Sequence, residues 1–186
     1  MAQEMYIISG CNGAGKTTAS FTVLPEMLHC GEFVNADEIA AGLSPFNPAE
    51  MAMDAGRIML KRIGDLLSMH KTFAIETTLA TRSYTRLIDK AHSLGYIVHL
   101  LYIWLASPLQ AIERVAHRVD EGGHNIPRDV IVRRYYRGLD NLKRLFMPKV
   151  DSWMLVDNSM GRQELVATNM GIIDKEKYDR IIHEDD

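Results

Sequence analysis

Residues 10 to 17 read Gly10-Cys11-Asn12-Gly13-Ala14-Gly15-Lys16-Thr17, which meets the spacing G-x-x-x-x-G-K-S/T at every fixed position. Phosphate oxygens need several backbone N–H groups curled toward one point, and a side chain at Gly13 or Gly15 would obstruct that curl. Lys16 would reach the β- and γ-phosphates of a bound triphosphate. The start of the following helix adds a positive dipole end, the Thr17 hydroxyl would ligate Mg²⁺, and Thr18 would contact the α-phosphate. Gly10, Asn12 and Ala14 complete the expected nucleotide loop. A glycine loop kept for packing alone is the bland alternative, and the complete match between a strand and a helix favours nucleotide binding. Cys11, near a helix N-terminus, is a candidate redox-sensitive thiol.

Binding a triphosphate does not decide what happens to it. The chain has no N-K-x-D run for guanine and no L-S-G-G-Q signature of transporter ATPases, and it is too short for the extra domains of a motor. Asp37 closes the second apolar run and is a candidate catalytic base, able to accept a hydroxyl proton. Its structural alternative is an N-cap for the helix that follows. Glu76 ends a third apolar run and could reach Mg²⁺ through water or fix a substrate hydroxyl. For Thr77, Thr78 and Thr81 the expectation is capping of a helix near Arg82. Residues 112–149 carry nine Lys/Arg against five Asp/Glu, interrupted by Gly122-Gly123-His124. That pattern predicts a lid over about 112–135, with Arg114, Arg118, Arg133 and Arg134 as candidates to neutralise charge on the transferring phosphate; a solvated charged face is the alternative for each. His124 is expected to order its glycine loop.

These groups need a scaffold that brings them to one edge. Short apolar runs at Met5–Ile8, Glu32–Asn35, Thr72–Ile75, Tyr96–Leu105 and Trp153–Val156 alternate with helical patterns. The helical stretches are Thr17–Cys30, Ala49–Met69, Arg82–Leu94, Pro108–Glu121 and Ile126–Phe146, with Ser107-Pro108 as a cap and first-turn pair. In the first, Phe21, Leu24 and Leu28 carry the apolar spacing and Pro25 is a possible kink. The alternation predicts an α/β fold, a five-stranded parallel sheet with helices on both faces. In such sheets ligands bind beyond the carboxyl ends of the strands, where Gly10, Asp37, Glu76 and Asp157 are all placed. Residues 1–160 are expected to form this domain, and 161–186 a polar tail that ends in a helix.

With 186 residues, 47% hydrophobic and 24% charged, the composition is that of one ordinary globular domain. A net charge of -3 provides no basic field for nucleic acid. Two cysteines make no disulfide framework or metal cluster, and no leader or membrane span is evident, so a cytoplasmic protein is expected.

Taken together the residues resemble the zeta-toxin family of P-loop kinases, in particular its small-ATPase branch. The carriers are G-x-x-G-A-G-K-T-T at 10–18, N-A-D at 35–37, I-E-T-T-L at 75–79, R-V-A-H-R-V with G-G-H-x-I-P at 114–127, R-R-Y at 133–135 and D-N-S at 157–159. The resemblance implies a nucleotide-kinase-like sheet, ATP with Mg²⁺, and transfer to a hydroxyl of a UDP-N-acetylamino sugar. It makes Asp37 the base, Glu76 an acid of the substrate or metal site, the lid arginines a γ-phosphate clamp, and Arg114 and Asn158 nucleotide contacts. An antitoxin partner covering the ATP pocket is implied as well. The sequence departs from E-G-T-x-R after Glu76, reading Thr77-Thr78-Leu79-Ala80 with the nearest arginine at Arg82. The residues therefore leave three readings: a kinase for a small hydroxyl-bearing molecule, an ATP-binding or ATP-hydrolysing regulator, and a polynucleotide 5′-hydroxyl kinase.

Overall fold

The computed structural model describes residues 2–26, 28–123 and 125–183. Its strands are β1 (Glu4–Gly10), β2 (Phe33–Val34), β3 (Phe73–Thr77), β4 (Ile97–Trp104), β5 (Ser152–Asp157), β6 (Glu164–Thr168) and β7 (Gly171–Ile172). They lie in one sheet in the order β2-β3-β1-β4-β5-β6-β7. The first five are parallel, with β1 at the centre between β3 and β4. The expectation of five strands is corrected to seven, because the tail does not simply leave the sheet: β6 turns back antiparallel along β5, and β7 along β6. Val166 and Ala167 are buried, and this apolar pair supplies the reason for the return.

The helices are α1 (Lys16–Glu26), α2 (Ala36–Leu43), α3 (Ala52–Ser68), α4 (Tyr84–Ser93), α5 (Pro108–Asp120), α6 (Arg128–Asn141) and α7 (Lys175–His183). Strand residues alternate between faces, so β1 is apolar on both. Met5 and Ile7 meet Met59, Ile63 and Leu66 of α3 and Ile88 of α4 on one side. Tyr6 and Ile8 meet Leu24 of α1 on the other, where Ile103 and Leu105 also pack on Ala111 and Val115 of α5. Among the described residues no helix is long and apolar enough to cross a membrane.

Several local expectations shift. The helix expected from Ala49 begins as a 3₁₀ turn, Pro48–Met51, and becomes α-helical at Ala52. Its buried face is Ala55, Met59, Ile63, Leu66 and Leu67, whereas Ile58 is exposed. α1 ends at Glu26 instead of Cys30, one residue past Pro25, which has no N–H and crowds the preceding turn. Phe21 lies on the surface of α1 against the edge of Phe33, and Leu24 is the residue that enters the core.

The loop after β3 is held in an unusual shape. Leu79, fully buried, has φ of 56°, a left-handed conformation that costs a branched residue on the order of 1 kcal/mol. The buried Asn141 amide donates to Leu79 O at 2.7 Å, and Gly138 lets α6 come against Thr78 O, where a Cβ would collide. α6 thus fixes the segment that carries Thr77, Thr78 and Thr81.

Candidate active site

The phosphate loop runs from the end of β1 into α1. Gly13 and Gly15 have φ of 76° and 88°, which side chains rarely adopt. A Cβ on Gly13 would lie 3.0 Å from Ala111 O, and one on Gly15 would lie 2.9 Å from Asn158 Nδ2. The loop is therefore shaped against α5 and against the turn after β5. Asn158 Nδ2 donates to Ala14 O at 2.9 Å, and Arg114 donates to Asn158 O at 2.6 Å.

Buried polar side chains concentrate here: Asn12, Lys16 and Asn35 are all at least nine-tenths buried. Lys16 Nζ donates to Cys11 O at 3.0 Å and stands 3.7 Å from Glu76 Oε1. Glu76 Oε2 accepts from the Thr17 hydroxyl at 2.8 Å and from Asn35 Nδ2 at 3.0 Å. Burial pushes the Glu76 carboxyl up, Lys16 and Thr17 pull it back, and Asp37 and Glu38 push it further, leaving it above its ordinary value. A buried carboxylate crowded by other acids and pointed at a lysine is primed to receive further positive charge.

A cleft of ≈ 200 Å³ opens beside this cluster. Asn12, Lys16 and Arg134 line its phosphate-loop side. Asn35, Ala36, Asp37 and Glu76 line a second wall, and Thr77, Thr78, Thr81, Met59 and Tyr84 a third. Asp37 is exposed in the first turn of α2. It does not cap that helix: Asn35 does, its Oδ1 accepting the Asp37 N–H at 2.8 Å, because residue 35 is the last with extended backbone. The threonines do not cap α4 either. Its N-cap is Ser83, with no side-chain cap bond, while Thr77 Oγ1 receives the Leu79 N–H and Thr81 Oγ1 the Ser83 N–H, each two residues on.

The arginines separate. Arg134 lines the cleft, its Nη1 3.4 Å from Asn12 Oδ1. Arg114 braces the Asn158–Ser159 turn behind Gly13. Arg118 and Arg133 are exposed and outside the cleft wall. Asp157, expected at the ligand edge, is turned away into an ion pair with Lys177 at 3.0 Å. His124 lies outside the described residues. Cys11 is corrected as a redox candidate, since it is buried and burial pushes its thiol up to about 11, against the pull of Lys16. Thr18, one residue into α1 from Thr17, is exposed.

Sequence reasoning gave no separate role to Asn35, Met59, Tyr84 or Gln110. Asn35 carried a usable signal, an amide just before a predicted helix. Gln110 Nε2 donates to Ser159 O at 2.6 Å, a long-range contact with no local signature.

The donor set suits Mg²⁺ with a nucleotide. Thr17 and Glu76 present adjacent oxygens, and among the described residues no group of three or more His, Cys, Asp or Glu could hold a metal. Mg²⁺ commonly takes one or two protein oxygens together with phosphates and water, which matches this economy.

The chain matches the zeta toxin family over residues 2–160. An uncharacterized protein of Haemophilus influenzae (strain Rd) is 31% identical over 136 residues, which is 73% of this chain and 94% of the relative. Among solved structures, the AvrRxo1-ORF1:-ORF2 crystal structure with ATP superposes at a TM-score of 0.81 and 17% identity, over 97% of this chain. This chain spans only 63% of that one's length. A structure of the PezAT chromosomal toxin–antitoxin system of Streptococcus pneumoniae superposes at 0.72 and 18% identity, over 98% of this chain and 80% of the other. At those identities the structural likeness is one of fold.

Proposed function

The chain belongs to the zeta toxin family, and we propose that it is an ATP-dependent kinase transferring the γ-phosphate to a hydroxyl of a small molecule. The observation that carries this reading is the cleft that Lys16, Arg134, Glu76 and Asp37 line together with Thr77, Thr78 and Thr81.

In this reading the phosphate loop binds the triphosphate through its N–H groups, with Lys16 on the β- and γ-phosphates. Thr17, with Glu76 behind it, would hold Mg²⁺, which would supply neutralisation of the phosphate charge. Arg134 approaches the transferring group from the lid. Thr77, Thr78, Thr81 and Tyr84 orient the acceptor through its hydroxyls. Asp37 takes the proton from the acceptor oxygen as that oxygen bonds to the γ-phosphorus. The bond from phosphorus to the bridging oxygen breaks, and ADP leaves with the electron pair. A UDP-N-acetylamino sugar is the first acceptor to try, and an antitoxin covering this cleft is the partner proposed. The missing glycine and arginine after Glu76 favour a second reading, an ATP-binding regulator without an acceptor.

The test is transfer from labelled ATP, with Mg²⁺, to UDP-N-acetylglucosamine and a panel of sugars and nucleosides, with Lys16→Ala as control. Lys16-dependent labelling of one acceptor supports the kinase and names its substrate. ATP binding with no labelled acceptor moves the regulator ahead.

A further inference from the structure

The turn that braces the phosphate loop is itself held from a part of the chain outside residues 2–160. Lys177 stands in the first turn of α7. Its ammonium lies 3.0 Å from Asp157 Oδ2, 2.7 Å from Glu164 Oε2 and 3.9 Å from Asp174 Oδ2. Asp157 is buried, and its other oxygen accepts the Ser159 N–H at 2.8 Å. Asn158 sits between those two residues, with its N–H on Trp104 O at 3.0 Å and its side-chain amide on Ala14 O. One helical turn further along α7, Arg180 reaches Ala106 O at 3.3 Å and lies over the Trp104 ring at 5.2 Å. α7 therefore grips the segments that follow both β4 and β5, and these flank the phosphate loop.

We propose that Lys177 is a positioning residue for nucleotide binding: by holding Asp157 it fixes Asn158 against Ala14 and so sets the shape of the phosphate loop. The inference rests on the nucleotide site proposed above. Without the ammonium, Asp157 is a buried carboxylate that has lost its Lys177 partner, with Arg162 engaged by Glu164 at 2.6 Å. Such a group protonates or swings toward water, because an unpaired buried charge is strongly unfavourable. Either response weakens the Ser159 bond and frees Asn158. A helix that merely covered the sheet edge would lose overall stability on the same change and leave nucleotide affinity alone.

The experiment measures the ATP dissociation constant by calorimetry for the full chain, Lys177→Met and Lys177→Arg, alongside hydrogen exchange of the unaltered protein with and without ATP. Lys177→Met is expected to bind ATP about tenfold more weakly, a loss of about 1.4 kcal/mol, with Lys177→Arg restoring most of it. Because coupling is reciprocal, ATP should slow amide exchange within α7 of the unaltered protein. That second readout needs no variant to fold. Unchanged ATP affinity in a folded Lys177→Met, or α7 exchange indifferent to ATP, overturns the positioning role alone. Absence of ATP binding by the unaltered protein overturns the nucleotide site itself and the positioning role with it.

Discussion

Asp37→Asn separates proton transfer from everything else the site does. The side chain is exposed at the cleft, so the exchange opens no cavity and strands no buried charge. The α2 cap survives, because Asn35 receives the backbone N–H of residue 37 and not its carboxylate. What is lost structurally is one of two acids, Asp37 and Glu38, in the first turn of α2. Against the helix dipole that charge is worth about 0.3–1 kcal/mol. For a domain of this size the corresponding fall in Tm is about 1–4 °C. The chemical effect is far larger, since a positioned general base contributes about 10²–10⁴-fold, or about 3–5 kcal/mol in the barrier. ATP affinity should be unchanged or slightly improved, because a negative charge leaves the neighbourhood of the phosphates. The assay is kcat at saturating ATP and acceptor, with the ATP Kd and Tm measured on the same preparation. A variant that keeps most of its kcat refutes the base assignment. One whose Tm collapses refutes the claim that this side chain carries no structure.

Glu76→Gln removes the charge beside the buried Lys16 ammonium, and the ligand-free protein should lose about 1–3 kcal/mol of stability. ATP then supplies the missing negative charge, so the thermal shift produced by ATP without Mg²⁺ should be larger in the variant than in the unaltered protein. Gly15→Ala puts a Cβ 2.9 Å from Asn158 Nδ2 at a φ of 88°, at a folding cost of about 1–2 kcal/mol; calorimetry should find ATP binding lost while circular dichroism shows a folded chain. Burial alone would raise the Asp157 carboxyl, but the hydrogen bond from Ser159 and the Lys177 ammonium outweigh it and hold it below its ordinary value. A depressed carboxyl contributes stability above its unfolded pKa, about 3.9, and loses it as pH falls through the folded value. Lys177→Met raises the folded value, so the acid-unfolding midpoint, followed by tryptophan fluorescence, should move to higher pH; an unmoved midpoint would contradict the ion pair.

The phosphate loop was legible because its constraint is local: glycines that allow positive φ, a lysine and a hydroxyl stand within eight consecutive residues. Glu76 was legible for a similar reason, as an acid ending an apolar strand. Arg133 and Arg134 show where local reading stops. Adjacent helical residues point about 100° apart, and the burial of Ile131 and Tyr135, which depends on the rest of the fold, decides that Arg134 is the one on the cleft. The capping alternative for Asp37 falls to Asn35, two residues earlier, because both are good caps and only backbone geometry chooses between them. β6 stayed hidden since Glu164-Leu165-Val166-Ala167-Thr168 buries only two side chains, and its pairing partner β5, last of the parallel strands, carries no sequence mark of a free side. Lys177 looked like one more charge in a polar tail, and its meaning comes entirely from Asp157, Glu164 and Asp174.

The central position of β1 also has a consequence for the order in which the site comes into being during synthesis. The loop of residues 10–17 is made before the segments that pair its strand on both sides, and its bracing turn and α7 come later still. At about 5–20 residues per second, roughly 10–30 s separate Thr17 from Lys177. Within that interval the walls arrive first, the last with Arg134, and the brace from Asn158 and its hold by α7 follow. A nascent chain therefore carries the motif before the pocket, and any partner that recognises the assembled cleft has nothing to bind until translation has passed Arg134 in α6.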